Sequence, residues 1–523
     1  MKWIEQIVDE ILKNFPDKEI YTCASGLSTT GISHIGNFRE LITTYFIVKE
    51  LEKRGKKVRF ILSFDDFDRL KKVPYGVDNS FSKYIGMPNS LIPSPFNDGE
   101  SYAEHFESLV KGELSKLGIF PEYIRQSQKY LSHTYDEYIK LALNHRYEIF
   151  DVISKHKTQK LTEFDKENYY PVKVYCENCG KDSTCVVNCN LKEGVIDYRC
   201  KCGMKGSNKI ENLQIKLNFN IDWPMRWKYE HVNFELCGIG HADPNGALNI
   251  SKEISRLLFD DQVPLVKSYE FVKCGNKGRM NKNSKDLITV TKLLEIMPKE
   301  MILWIFLSNN ITKEIHLTLD KNTILNLYSK FESILTSGDE KSERVRNMLN
   351  LDFCKEVIKF SDLLKYLPAC NFNILKLQKY INIDFENKNH LFLVKYACKW
   401  LNEYCENKYW QINEQLNFDY WENMCDHDRK VIECFVNVLS IDDCFENVNN
   451  FINKIKEDGD LVQFYKNFYN LVFNSNNGIR FKTILENFNI DEIFTKLNSY
   501  VQLNCSNNKV YKKKKICNTQ FII

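Results

Sequence analysis

No long apolar run occurs in this chain. The longest, Met301 to Leu307, falls far short of the roughly 20 residues needed to span a bilayer. The first residues do not read as a secretory leader, because Glu5, Asp9 and Glu10 interrupt them in an amphipathic pattern. Proline and glycine are scarce, 12 and 21 among 523 residues, which excludes collagen-like and mucin-like chains. An excess of charge is missing too: 72 basic residues oppose 69 acidic ones. With a net charge of only +3, an anionic partner has to be met by local patches. The 18 cysteines are diluted, and most stand singly in helical-looking segments, as buried thiols do in a reducing compartment. A soluble, cytoplasmic chain without a membrane span is expected.

What is present is globular. Hydrophobic residues make up 43% of the chain, with 34 Phe and 27 Tyr to fill large cores. The length predicts about three or four domains. Trp3, Ile4, Ile7, Val8, Ile11 and Leu12 recur at helical spacing, and Pro16 ends that helix. A short strand over Ile20 to Ala24 follows, then a loop of Ser, Thr and Gly (Ser25 to Ser33) and a helix from about Ile35 to Lys53. Lys57 to Ser63 is a β-branched strand. Strand, glycine loop, helix, strand opens a parallel α/β sheet, which binds ligands at the carboxyl ends of its strands. Helices are predicted over about 101–117, 133–156 and 247–258, and strands over 232–237 and 264–272. From about 290 onward the pattern is nearly all helical.

The loop Ser25-Gly26-Leu27-Ser28-Thr29-Thr30-Gly31-Ile32-Ser33-His34-Ile35-Gly36-Asn37 is the strongest local signal. Its glycines permit close approach of a ligand, and a helix start favours phosphate. His34 is placed to donate to a phosphate oxygen as its charge grows. The string His34-Ile35-Gly36-Asn37 resembles the first signature of class I aminoacyl-tRNA synthetases. The wider block from Ala24 to Glu40 resembles the class I lysyl-tRNA synthetases. Further blocks follow in the same order: Asp65-Asp66-Phe67-Asp68-Arg69, Lys72-Val73-Pro74, Tyr84 to Pro88, Glu100 to Phe106, Asp222-Trp223-Pro224-Met225-Arg226-Trp227 and Gly478-Ile479-Arg480.

The resemblance implies a Rossmann-type α/β catalytic domain with a zinc-ribbon insertion, followed by an all-α anticodon-binding region. Its boundaries are 1–165 and 216–310 for the catalytic halves and 166–215 for the ribbon. A helical stem-contact region (311–384), the anticodon-binding domain (385–505) and a basic tail (506–523) complete it. The implied reaction joins L-lysine to tRNA(Lys) through lysyl-adenylate, with ATP and Mg²⁺, and the resemblance implies a monomer. The second signature falls on Arg279-Met280-Asn281-Lys282-Asn283-Ser284-Lys285. Arg279 replaces a lysine there, a change of donor geometry, yet three cations remain for a triphosphate. Catalysis is thus assigned to His34, Asn37, Arg279, Lys282 and Lys285. ATP binding is assigned to Ser28, Gly31, His34, Gly36, Asn37, Met280 and Lys282. A basic surface loop without a catalytic role is the other reading of 279–285.

Cys176-Glu177-Asn178-Cys179 and Cys200-Lys201-Cys202 supply two thiolate pairs, a set that closes a structural tetrahedral Zn²⁺ site or else stands as unbound thiols. A further metal site known in some family members maps to Ser94, Asp98, Gly99 and His105, where only His105 fits, so that site is expected to be absent. For the lysine pocket the resemblance points to Gly26, Ser28, Phe219, His241 and Tyr269. Phe219 stands where the family usually has Trp, and Gly238-Ile239-Gly240-His241 where it has Gly-Lys-Asp-His. Asp65 and Asp66 are candidates for holding an ammonium group, or a solvated loop pair. Trp400, Tyr404, Tyr409, Trp410, Tyr420 and Trp421 either stack anticodon bases or fill a helical core. Lys512 to Lys515 either touch phosphate or form a solvated tail. The competing function is a catalytically altered or non-catalytic paralogue with a tRNA-binding, regulatory or biosynthetic role.

Overall fold

The computed structural model describes residues 2–159, 161–259, 263–274, 287–370, 372–404, 412–440, 444–476, 478 and 480–511. The second-signature residues Arg279, Met280, Lys282 and Lys285 lie outside the described residues. So do Tyr409, Trp410, Ile479 and the Lys512 to Lys515 run. The chain divides into two compact units, Met1–Thr318 with Ile334–Cys354, and Leu319–Ser333 with Lys355–Ile523.

The first unit is built on a five-stranded parallel sheet. Helix α1 (Lys2–Asn14) buries Ile4, Ile7, Val8 and Ile11, the stripe its periodicity demands. Strand β1 (Tyr21–Leu27), helix α2 (Phe38–Lys53) and strand β2 (Val58–Phe64) follow as expected. Helix α3 (Tyr102–Leu117) opens on a capping box in which Ser101 and Glu104 satisfy each other's backbone N–H, and it stops at left-handed Gly118. The edge strand β3 (Glu122–Arg125) was not legible in the sequence, being four residues long with little alternation. The helix expected over 133–156 is broken. Helix α4 (Gln126–Leu131) ends before His133, whose φ is +59°, and α5 (Asp136–Asn144) and α6 (Arg146–Lys155) are separated at His145.

After a short α7 (Glu163–Glu167), the cysteine-rich insertion forms small antiparallel sheets. Strand β4 (Val172–Val174) pairs with β8 (Ile215–Leu217) as a root. Between them β5 (Thr184–Asn190), β6 (Val195–Cys200) and β7 (Lys205–Lys209) make a three-stranded sheet. The main sheet then resumes through α8 (Phe219–Tyr229), β9 (Val232–Gly238), α9 (Ala247–Phe259) and β10 (Leu265–Tyr269). Its order is β10-β9-β1-β2-β3, every pair parallel. The order runs one way from β1 and the other way from β9, so the β1/β9 boundary is a topological switch point where such sheets bind ligands. Strands β11 (Val272–Lys273) and β12 (Ile315–His316) form a separate parallel pair. The longest apolar run is buried throughout in helix Lys299–Leu307, and among the described residues no helix is long and apolar enough to cross a membrane.

The described residues of the second unit are mainly helical. Edge-on aromatic contacts centre its core: Phe435 with Phe464, and Phe468 with Phe481 at 4.8 Å. Trp400 and Trp421 are buried, with Trp400 Nε1 donating to Leu319 O at 3.1 Å, so these two are core rather than stacking surface.

Candidate active site

A cleft of about 640 Å³ opens at the switch point. Gly26, Leu27 and Ser28 line it from the end of β1, Leu236 to Gly238 from the end of β9, and Tyr269 from the end of β10. His34, Gly36 and Asn37 enter it at the start of α2, the end that carries the positive pole of the helix dipole. The His34 imidazole is held in place: Gly36 N donates to its Nδ1 at 3.1 Å, leaving the proton on Nε2. A Cβ at Gly36 would lie 2.9 Å from that ring, so only glycine lets the backbone pass. Asn37 Oδ1 accepts from His34 N at 3.1 Å and ties the turn.

Two buried carboxylates that sequence reasoning missed face this space. Glu40 Oε1 accepts from Gly26 N at 2.9 Å and Oε2 from Tyr269 Oη at 3.1 Å. Burial pushes its carboxyl up to about 8, and the two hydrogen bonds only partly oppose that. Glu235 Oε2 accepts from both Trp223 Nε1 (3.0 Å) and Trp227 Nε1 (2.5 Å). Burial raises it to about 7. Trp223 stacks on Phe219 with centroids 5.4 Å apart, and His241 closes against both rings at 6.0 and 5.8 Å. Glu235 therefore sets the aromatic wall through the indoles. Glu40 lies inside the quoted block, but an acid in the first turn of a helix ordinarily serves the dipole, so nothing in the sequence singled it out.

The opposite side is ionic. Arg226 Nη1 donates to Asp65 at 2.7 Å, while its Nη2 donates to Asp222; Lys216 pairs with Asp68. Arg226 reaches them because α8 carries Asp222 and Arg226 one turn apart. Pro224 within that helix strands the Asn220 carbonyl, which accepts Ser251 Oγ at 3.1 Å instead. Asp65 and Asp68 line the cleft. Asp66, expected beside Asp65 as an ammonium holder, turns away from it. Wholly buried, it accepts from Ser127 N at 2.8 Å and Arg125 Nε at 3.2 Å, because consecutive residues leaving a strand point in opposite directions. Gly31 is also outside the lining, packed near Pro74.

Buried Arg39 was missed as well. It donates to the carbonyls of Phe271 (3.3 Å), Asn310 (3.1 Å), Ile311 (3.3 Å) and Lys313 (2.6 Å). Phe271 and Val272 line the cleft, so this guanidinium fixes one wall. Ile35 N donates to Ile288 O at 2.8 Å, fastening the chain that follows the second signature onto the first.

Away from the cleft, Cys176, Cys179, Cys200 and Cys202 bring their sulfurs within 4.8 Å of one another. The Cys176–Cys202 and Cys179–Cys200 separations are 3.7 and 3.6 Å. A tetrahedron of Zn–S bonds of about 2.3 Å has edges of about 3.8 Å, so the four thiols fit a closed zinc site. Asp98 and His105, at the position of the expected-absent site, form a 2.6 Å pair beneath Phe96.

Parallel sheet, switch-point cleft and histidine signature together define a class I aminoacyl-tRNA synthetase fold. The model of the family described as tRNA synthetases class I (K) matches residues 1–352, and the chain belongs to that family. The Lysine–tRNA ligase of Borreliella burgdorferi is 29% identical over 95% of this chain and 98% of its own. That of Pyrococcus horikoshii is 33% identical over 68% of each chain, and that of Thermococcus kodakarensis 35% over 64% and 63%.

Proposed function

We propose that the chain is an ATP-dependent lysine–tRNA ligase. The carrying observation is a relative of that activity matching along 95% of this chain, with the family's signature histidine and a buried carboxylate facing one cleft. The lysine carboxylate attacks the α-phosphorus of ATP, pyrophosphate leaves, and a terminal ribose hydroxyl of tRNA then takes the acyl group. Such catalysis is mainly positioning and charge stabilisation. His34, with its proton on Nε2, donates to a phosphate oxygen; Asn37 holds the turn that carries it. Glu40 receives an ammonium group of lysine, supported by its place on the cleft wall, where Gly26 N and Tyr269 Oη hold its carboxyl in position. Gly26, Ser28, Phe219, His241 and Tyr269 shape that end. Arg279, Lys282 and Lys285 serve the triphosphate as second signature, and Mg²⁺ accompanies the nucleotide.

The four cysteines hold a structural Zn²⁺, the insertion 166–215 being its ribbon. Residues 311–384 contact the stem and 385–505 read the anticodon, in a cytoplasmic monomer. Charging of unfractionated deacylated tRNA with radiolabelled lysine tests the reading, with a His34→Ala, Lys282→Ala double variant as control. Lysine-specific charging that the variant abolishes supports it. No charging, with tRNA still retained on a filter, moves the chain to a regulatory paralogue.

A further inference from the structure

The cysteine-rich insertion has two unlike faces. Inward, Ile196 and Tyr198 of β6 are buried, and the Tyr198 ring lies so close over Gly206 that a Cβ there would meet it at 2.2 Å. Outward, every second residue carries the solvent face. Arg199 of β6 stands directly opposite Lys205 of β7, and both are exposed. Exposed Lys201 follows in the turn between them, and exposed Lys209 ends the same face of β7, opposite Val195.

The acids nearby leave Arg199, Lys201 and Lys205 unanswered among the described residues. Asp197, at the centre of the face, is hydrogen-bonded by Asn188 at 3.0 Å and by Ser207. Glu211 is 3.6 Å from Lys209, at the far end from Arg199, and Glu193 sits in the β5–β6 turn. Among the described residues no ion pair engages Arg199, Lys201 or Lys205. Directly opposed like charges cost a sheet stability, so the pair makes sense where an anion lies across it.

The insertion is also fixed beside the cleft. Its root strand β8 runs straight into Asn218 and the cleft residue Phe219, and Asn218 N donates to Pro171 O at 2.8 Å. Asp182 N donates to Gly86 O at 2.8 Å, and Asp182 pairs with Arg69 at 3.1 Å, next to cleft residue Asp68.

We propose that the outer face of this three-stranded sheet, through Arg199, Lys201, Lys205 and Lys209, binds backbone phosphates of the tRNA whose end occupies the cleft. The proposal rests on the lysine–tRNA ligase reading. The phosphates contribute affinity and register, and the face reads no base. The occupant is RNA rather than an acidic protein because the chain's proposed substrate is a polyanion whose end enters the cleft that the root of this insertion adjoins.

The test is an Arg199→Gln, Lys205→Gln double variant of the full chain. Expected is a roughly tenfold rise in KM for tRNA near physiological salt, with the log–log salt slope of tRNA binding shallower by about two. The KM for lysine should stay unchanged, zinc should be retained, and the variant should melt no lower than wild type because a like-charge pair has been removed. An unchanged tRNA KM and salt slope overturns the proposal, as does loss of zinc or a lower melting temperature, which would assign these cations to the cysteine cluster. Wild type that charges no lysine defeats the underlying reading instead. In that case unaltered filter binding of tRNA by the variant still counts against the surface.

Discussion

The two sides of the cleft treat their carboxylates in opposite ways. On the α8 side, Asp65, Asp68 and Asp222 each meet a cation, Arg226 or Lys216, within the protein. On the other side, among the described residues, Glu40 accepts from a backbone N–H and a phenol, and Glu235 from two indoles. Matched charges complete a scaffold within the protein, whereas a buried acid given donors but no paired cation either keeps its proton or takes up a cationic ligand. On the proposed reading the contrast marks the side that takes the lysine ammonium, and it can be attacked from either side.

The largest effect is expected on the matched side. Arg226→Leu takes the guanidinium from wholly buried Asp222 and partly exposed Asp65, a loss of up to about 3–5 kcal/mol, the cost of breaking a buried pair. Chemical unfolding should show it directly, and a loss below the error of that measurement would mean the network is dispensable. Glu40→Gln keeps the size and the acceptor for Gly26 N but removes the charge. Losing one member of a buried charged contact costs about 2–5 kcal/mol, roughly 30- to 4,000-fold in kcat/KM for lysine. The KM for ATP should stay put, and stability should be unchanged or higher. Equal losses for both substrates would show that Glu40 shapes the cleft rather than binding the ammonium.

The sign of the pH dependence separates the two sides further. Glu40 is raised to about 8 and Glu235 to about 7 from an ordinary 4.5. The folded protein therefore holds protons that the unfolded chain sheds. That stability is complete below about pH 4.5 and is lost as pH rises toward 7–8. Lysine entering with its ammonium needs the Glu40 carboxylate, so binding at pH 7 should release close to one proton. Calorimetry in two buffers of different ionisation enthalpy reads that number, and its affinity should fall about tenfold for each pH unit below 8. Zero protons released would place the ammonium elsewhere.

Much of the scaffold was legible because it rests on local patterns. The stripe of α1, the β-branched strand β2 and the helix over 101–117 announce themselves within a few residues. The site was legible where a contiguous motif carries it, as at His34 to Asn37. Glu40, Arg39 and Glu235 were not, since their meaning comes from partners far along the chain: Tyr269, the carbonyls of Asn310 to Lys313, and the two indoles of α8. Asp66 shows the converse error. A pair of adjacent aspartates looks like one feature, but the backbone sends one into the cleft and the other into the core.

The smallest expected effect lies in the wall between the two sides. Phe219 is 45% exposed and stacked on Trp223, which Glu235 holds by its indole N–H. Phe219→Trp enlarges a ring that is half in solvent, so the added atoms have somewhere to go and little strain follows. The new N–H is one neutral donor, for which a net gain of about 0.5–1.5 kcal/mol is typical. The KM for lysine should therefore fall by no more than about tenfold, with kcat nearly constant. The same substitution in a Glu235→Gln background should lose that gain, because Trp223 would no longer be fixed to stack against the new ring. If the gain survives there, the aromatic wall is set by its own packing and Glu235 has no positioning role.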